Sequence, residues 1–184
     1  MVISPPADHF TAESDVGYIE LLEYIKHKSI PLYYALAGDV FNIDENVDIQ
    51  VLWPMEPQMH LNDNSLVIRL NYGNCAFLFT GDIEKDAQRQ LVKMYGLSAA
   101  VLKIPHHGSG FFERSFFKQT MPEISVISVG RYNRFNHPSP ELINMLEEIG
   151  TQIYRTDLHG AVVIKTDGKN IWVNTKFSEE DRRT

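Results

Sequence analysis

The sequence predicts a mixed α/β fold, of the α+β kind, in one domain spanning residues 1–184. Three observations lead to this class: some segments repeat apolar residues at helical spacing, others are short apolar or alternating runs typical of strands, and the two kinds alternate through the second half. At 184 residues and 43% hydrophobic composition, the chain is large enough to bury a core. No repeat or linker divides it, and we expect its polar tail, residues 178–184, to fray.

The first half predicts one helix followed by antiparallel strands. Apolar residues recur at helical spacing over residues 17–28, and Ser14 or Asp15 offers an N-cap. Short apolar or alternating runs then predict strands at residues 49–53, 66–70 and 76–80. The turn Tyr72-Gly73-Asn74 joins the last two strands, because Gly and Asn tolerate the conformations of a tight hairpin.

The second half predicts helices alternating with strands. The predicted helices cover residues 83–94 and 140–149, and the strands cover residues 99–104, 124–129 and 152–154. A final hairpin over residues 161–173 turns at Asp167-Gly168. Together these segments predict a sandwich of helices and sheet.

Composition narrows the classes of function. A net charge of -7 argues against a broad basic surface for nucleic acid, although a local basic patch beside a site stays open. The single cysteine, Cys75, excludes an intrachain disulfide and a thiolate cluster, so His, Asp or Asn would hold any metal. No apolar run reaches the roughly 18 residues that span a bilayer, and no signal peptide begins the chain. We expect a soluble protein, cytoplasmic by default.

The strongest local pattern is a pair of histidines at a strand end. The apolar run before Pro105 leads directly into His106 and His107, followed by Gly108. Neighbouring residues of an extended strand point to opposite faces, so only one of them would bind a metal unless the chain turns, which Gly108 permits. One histidine would then be a ligand and the other a general acid or a supporting group. Two hydrogen-bonding loop histidines are the alternative.

A second polar residue, Asp82, also follows a strand, directly after Thr80 and Gly81. Its carboxylate is a candidate metal ligand. On its own pattern, however, Asp82 is more typical of an N-cap for the helix predicted to begin at Ile83.

Three further polar segments are weaker candidates. Four oxygen-bearing side chains precede a predicted strand: Asn62, Asp63, Asn64 and Ser65. They suit a hard cation or a phosphate ester, and the alternative is a turn in which these side chains bond their own backbone. His137 lies in a loop that prolines stiffen, and an exposed loop histidine is the alternative. Arg155 is a candidate anion contact, with a structural turn as the alternative.

Taken in order, these segments resemble the catalytic domain of ComEC-type metallo-β-lactamase hydrolases. The matching stretches are residues 62–66, 80–83, 103–109, 136–138 and 155–157 with 160–161. The resemblance implies a metallo-β-lactamase-type αββα sandwich whose metals lie at the edge between two sheets. It also implies hydrolysis of phosphodiester bonds, in single-stranded DNA for example, or of other esters.

The resemblance also implies roles for individual residues. Asp82 and His106 would be metal ligands, with Asp82 bridging, while His107 and His137 would be catalytic. The cofactor would be Zn²⁺ or Mn²⁺, with up to two ions in a complete domain. Candidate substrate or supporting residues are Asn62, Asp63, Asn64, Ser65, Ser109, Arg155 and Asp157.

One family motif is absent from the sequence. Such enzymes carry His-x-His-x-Asp-His earlier in the chain, and Ala7-Asp8-His9 matches only its end, which we interpret as coincidence. We therefore expect a fold that is incomplete at its N-terminus and a polypeptide that is weak or inactive alone. A non-catalytic scaffold is one alternative. Another is a soluble component of DNA uptake that works with an upstream membrane channel, which would place the domain outside the cytoplasm.

Overall fold

The computed structural model describes residues 1–6 and 16–177, and a seven-stranded mixed sheet is the main feature of that part of the chain. The elements in chain order are β1 (Val2–Ile3), α1 (Val16–His27), β2 (Tyr33–Tyr34), β3 (Val40–Asp44), β4 (Val47–Trp53), β5 (Val67–Tyr72), β6 (Cys75–Phe79), α2 (Lys85–Met94), β7 (Val101–Lys103), α3 (Arg114–Thr120), β8 (Ile124–Ile127), α4 (Pro140–Glu148), β9 (Gln152–Arg155), α5 (Thr156–His159), β10 (Val162–Thr166) and β11 (Ile171–Thr175).

The large sheet has an antiparallel half and a parallel half, and its strands lie in chain order from β3 to β9. Strands β3 to β6 pair antiparallel, and Tyr72 pairs with Cys75 around Gly73, which has a φ of +55°. Strands β6 to β9 pair in parallel, so each needs a crossover, and α2, α3 and α4 supply them. The carboxyl ends of the parallel strands therefore meet at one edge, where α/β proteins place ligands.

The main core lies between the sheet and helices α2 to α4. Side chains alternate between the two faces along β6 and β7, and Leu78 and Leu102 pack into the core and are almost fully buried. Phe116 and Phe117 of α3 pack edge to face, with ring centroids 5.3 Å apart. Burial of this apolar surface fixes the sheet, and with it the loops at the strand ends.

The opposite face of the sheet is covered in part by the hairpin of β10 and β11. A cavity of about 440 Å³ separates them, and both the sheet residues Phe77 and Val126 and the hairpin residues Val162 and Ile164 line it. The predicted mixed α/β class is thus confirmed: helices α2 to α4 pack on the seven-stranded sheet, the β10–β11 hairpin lies over its other face, and β1 and β2 form a separate two-stranded sheet. No helix within these ranges has the length and apolarity needed to cross a bilayer.

Several predicted elements differ from the observed ones. The prediction that Asp82 caps α2 is wrong, because the helix begins later, at Lys85, with Glu84 in the capping position. Strands β1, β2 and β3 and helix α3 have no counterpart in the sequence prediction. The proposed caps Ser14 and Asp15, the segment Ala7-Asp8-His9 and the tail 178–184 lie outside the described residues.

Candidate metal-binding site at the sheet edge

Two neighbouring strand ends, after β6 and β7, carry the candidate site and are tied together by hydrogen bonds. Thr80, which is fully buried, donates from Oγ1 to the Lys103 carbonyl oxygen at 2.8 Å. The His106 amide donates to the Gly81 carbonyl oxygen at 3.2 Å, and the Lys103 ammonium donates to the same oxygen at 3.3 Å. These bonds fix the spacing between Asp82 and the histidine pair.

The chain turns sharply at the histidine pair. His106 and His107 have φ angles of +45° and +54°, and Gly108 follows at +88°. The left-handed region costs a residue with a Cβ roughly 1–2 kcal/mol, so two such histidines in succession mark a backbone held by its surroundings. A turn at this point allows both imidazoles to lie on the same side of the chain. Their ring centroids are 6.2 Å apart.

Asp82 and His107 form one pair of potential metal ligands. The distance from Asp82 Oδ2 to His107 Nε2 is 3.5 Å. Two donors of one four-coordinate ion, each about 2.0–2.2 Å from the metal, are separated by about 3.4 Å. His107 Nδ1 lies 2.7 Å from the Ser128 carbonyl oxygen, which only accepts, so in the neutral imidazole Nδ1 carries the proton and Nε2 carries the lone pair. This arrangement of the second nitrogen is typical of histidines that bind metals.

His106 has a different environment. Its Nδ1 lies 3.1 Å from Glu84 Oε1, within ion-pair distance, but the angles do not form a hydrogen bond and the buried nitrogen has no aligned partner. Glu84 Oε1 instead accepts a hydrogen bond from the Asn62 side chain at 3.0 Å. The His106 ring also contacts the edge of the His137 ring, with centroids 5.7 Å apart. An unpaired buried nitrogen beside a carboxylate suits a further ligand or a bound water.

His137 lies beside the histidine pair, in the loop before α4. The Asn133 side chain holds it through two bonds, accepting from the His137 amide at 2.9 Å and donating to its carbonyl oxygen at 2.8 Å. Burial, followed by the nearby charges of His106 and His107, lowers the pKa of His137. His137 is therefore neutral at neutral pH. With His107, Ser128, Asn133, Phe135 and Thr156 it lines a cavity of about 340 Å³.

The polar cluster before β5 supports the Asp82 loop. Ser65 Oγ accepts a hydrogen bond from the Asp82 amide at 3.0 Å, and Asp63 Oδ1 accepts one from the Glu84 amide at 2.7 Å. Asn64 is buried and bonds the Gln58 amide and the Pro5 carbonyl oxygen. These contacts position the chain next to Asp82.

The pKa of the Asp63 carboxyl predicts how the folding stability of the protein depends on pH. Burial is the main cause that raises the pKa of this carboxyl, outweighing the hydrogen bond from the Glu84 amide. The folded state therefore prefers the protonated form. The stability that Asp63 contributes is present below the ordinary aspartate pKa of about 4 and is lost as pH rises through its raised value.

We expect Asp63→Asn to remove this loss, because the amide keeps the Oδ1 acceptor and carries no charge. Urea unfolding of both proteins across the acidic range would measure it. The variant should gain stability relative to the wild type as pH rises toward neutrality. A difference that does not vary with pH would contradict the account.

The remaining predicted site residues lie apart from the ligand pair. Ser109 is buried, and its Oγ accepts from the Phe111 amide at 3.2 Å. Arg155 binds Asp157 through two hydrogen bonds of 3.1 and 2.6 Å, so each charge is already paired. The structure therefore gives these three residues structural contacts.

Three residues of the site were missed at the sequence level: Glu84, Lys103 and Ser128. Lys103 is the most informative, because it ends β7 and its ammonium donates to two carbonyl oxygens, those of Gly81 and Ile104. Burial lowers the pKa of Lys103, and the Asp82 carboxylate opposes this shift. The signal in the sequence that could have identified Lys103 is its charge within an otherwise apolar strand segment.

The described residues supply part of a metal site. Within residues 1–6 and 16–177, no group of three His, Cys, Asp or Glu side chains converges closely enough to hold an ion. Asp82 and His107 fit two positions of a four-coordinate ion in spacing and in tautomer. The donor types, one carboxylate and one imidazole, suit Zn²⁺ or Mn²⁺.

Comparison with known proteins finds relatives among competence proteins, while no family model matches the chain. Over 146 residues it is 30% identical to ComE operon protein 3 of Bacillus subtilis, covering 78% of this chain and 19% of that protein. Over 123 residues it is 36% identical to competence protein ComA of Neisseria gonorrhoeae, covering 64% of this chain and 18% of that protein. The chain thus spans less than a fifth of the length of these relatives.

A solved structure shares part of the chain path. It is that of a Parabacteroides distasonis protein whose name assigns it to the metal-dependent hydrolases, with a TM-score of 0.49 and 14% identity, covering 85% of this chain and 74% of that one. At this level of likeness, nothing about shared chemistry follows.

Proposed function

We propose that this chain, which is a ComEC-type domain of the metallo-β-lactamase fold, carries the later half of a metal-dependent site that hydrolyses phosphodiesters. The observation that supports the proposal best is the pair of Asp82 Oδ2 and His107 Nε2, 3.5 Å apart, with His107 Nδ1 bonded to the Ser128 carbonyl oxygen. A histidine held in this tautomer presents its other nitrogen to a cation.

In this proposal Asp82 and His107 hold a divalent ion, Zn²⁺ or Mn²⁺. Such an ion supplies Lewis-acid activation of water and of a phosphoryl oxygen. The chain's own residues orient the reacting groups: Lys103 fixes the Gly81 carbonyl oxygen, and with it the position of Asp82. His137 is neutral and borders the cavity beside His107, so it is placed to accept a proton or to hydrogen-bond a leaving oxygen.

Hydrolysis by these 184 residues alone is expected to be weak or absent. Two protein donors are fewer than the three that hold a typical catalytic zinc ion, and a two-metal clamp needs more donors still. His106 and Glu84, 3.1 Å apart, are the nearest additional groups. Other parts of a longer protein, such as the large remainder of the matched relatives, would supply the missing ligands.

The relatives named as competence proteins support a choice of substrate class. We propose DNA, in single-stranded form, as the phosphodiester, in a protein that acts with a membrane channel during DNA uptake. A second function, a non-catalytic scaffold that keeps the fold, is favoured by one observation: no group of three His, Cys, Asp or Glu side chains converges in the described part of the chain.

Cleavage of bis(p-nitrophenyl) phosphate and of labelled single-stranded DNA in Mn²⁺ would test the hydrolase. We expect slow hydrolysis that stops on chelation and is abolished in Asp82→Ala, because the carboxylate is one of two donors in the site. Asp167→Ala is the matched control, since that exposed turn carboxylate lies in the β10–β11 turn.

Two outcomes would count against the hydrolase. Hydrolysis that survives both chelation and Asp82→Ala would come from another source. Absence of both hydrolysis and Mn²⁺ binding would favour the scaffold.

A further inference from the structure

We propose that residues 130–137, here called the aromatic–basic loop, bind the unpaired bases and phosphates of a single polynucleotide strand. The loop joins β8 to α4 and ends at His137, so it borders the candidate metal site. The inference rests on the proposed function, because it assigns the surface by which that site would hold its substrate.

The first observation is that two aromatic side chains of the loop are largely exposed. Tyr132 is 93% exposed and Phe135 is 69% exposed, although aromatic side chains usually bury most of their surface. Phe135 is nevertheless held in place, because its ring stacks on His137 with centroids 5.8 Å apart and an interplanar angle of 20°. A fixed and exposed ring is a ready stacking platform for a base.

The second observation is the extension of this stack by a cation. The Arg134 guanidinium lies over the Phe135 ring, 5.8 Å from its centroid. Arg134 and His137 thus both contact the Phe135 ring beside the candidate site, while 69% of Phe135 stays exposed. Bases stack on aromatic rings and on guanidinium planes alike.

The third observation is local charge. The chain carries a net charge of -7, but residues 124–140 contain Arg131 and Arg134 and no Asp or Glu. Arg131 donates from Nε to the Asp157 carbonyl oxygen at 3.3 Å, which anchors the loop without neutralising the arginine. The Asp157 carboxylate is itself paired with Arg155. The loop is therefore a basic surface on an acidic protein, as a phosphate backbone requires.

The cavity beside the loop joins it to the candidate site. The loop residues Asn133, Phe135 and His137 line this cavity together with His107. A strand whose bases stack on the loop would lie with its phosphates beside His107 and Asp82. Duplex DNA buries its base faces within its own stack, so this surface discriminates in favour of an unpaired strand.

Fluorescence anisotropy of the whole chain with labelled oligothymidylate, at low salt and with chelator present, tests the proposal without any hydrolysis. We expect binding that weakens with salt and exceeds binding of a duplex of equal length. Phe135→Ala and Tyr132→Ala should each weaken binding by about tenfold, since stacking of each base on an aromatic ring contributes substantially. Trp172→Ala, at a residue 50% exposed on β11, is the matched control.

Charge reversal provides a second, independent arm. We expect Arg131→Glu with Arg134→Glu to abolish measurable binding, because the loop loses both of its cations. Lys165→Glu with Lys169→Glu makes the same change in net charge at exposed residues of the β10–β11 hairpin and should leave most of the affinity. Oligouridylate in place of oligothymidylate distinguishes RNA from DNA as the strand.

Either of two results would overturn the proposal: affinity for duplex equal to that for single strand, or equal affinities in the loop variants and the hairpin variants. Failure of the proposed function looks different. Strand binding that depends on the loop, without any metal-dependent hydrolysis, would leave the loop assignment standing and remove the catalytic one.

Discussion

Replacing Gly108 by alanine is expected to destabilise the protein by more than about 2 kcal/mol, combining left-handed backbone strain with a steric clash. Gly108 has a φ of +88°, and an added Cβ would lie 2.5 Å from Pro138 Cβ and 3.0 Å from Pro138 Cα. Because Pro138 is backbone-constrained and follows His137, the clash would push the His137 loop away from the histidine pair. Urea unfolding at neutral pH measures the loss.

Gly96→Ala is the matched control, because a Cβ there meets nothing within 4 Å and its φ is not positive. The control should change stability by less than about 0.5 kcal/mol. If Gly108→Ala were as stable as Gly96→Ala, the close approach of the two loops would be contradicted.

His107→Ala is expected to weaken Mn²⁺ binding far more than His106→Ala. Removing a residue that only hydrogen-bonds a metal ligand typically weakens metal affinity by about tenfold to hundredfold. Because His107 is itself placed as a ligand, we expect its removal to weaken Mn²⁺ affinity by more than that. Its Nε2 lies 3.5 Å from Asp82 Oδ2 and its tautomer is fixed by the Ser128 carbonyl oxygen. His106 lacks that hydrogen bond and faces Glu84 instead.

The signal of free aqueous Mn²⁺ in electron paramagnetic resonance measures this affinity even where binding is weak. His27→Ala is a suitable control, since His27 is an exposed histidine at the end of α1. Equal losses in His106→Ala and His107→Ala would mean that both imidazoles bind. A larger loss in His106→Ala would reverse the assignment.

The sequence placed the polar strand ends correctly because the information is local. Short, mainly apolar strand runs end shortly before Asp82 and before the histidine pair, and parallel strands bring their carboxyl ends to one edge. Residues such as Ser128 were missed, because its bond to His107 joins residues 21 apart in the chain and depends on the pairing of β7 with β8.

The failed N-cap prediction shows how tertiary contacts override local preference. Asp82 has the residue type of a cap, but Ser65 from another strand end accepts the hydrogen bond of the Asp82 amide, and α2 starts only at Lys85. Helix α3 was missed for a simpler reason. Its seven residues are too few to show a helical period, and the neighbours Phe116 and Phe117 are both buried.

The measurement that tests the central claim most directly is a Mn²⁺ titration of the nitrogen-15-labelled chain, followed by the paramagnetic broadening of its amide NMR signals. Two donors near 3.5 Å apart predict that the signals of Asp82, His107 and Ser128 broaden first, and that Asp82→Ala removes this effect. Broadening that starts at other carboxylates, such as the exposed turn at Asp44 and Glu45, and persists in Asp82→Ala would contradict a metal site at this edge of the sheet.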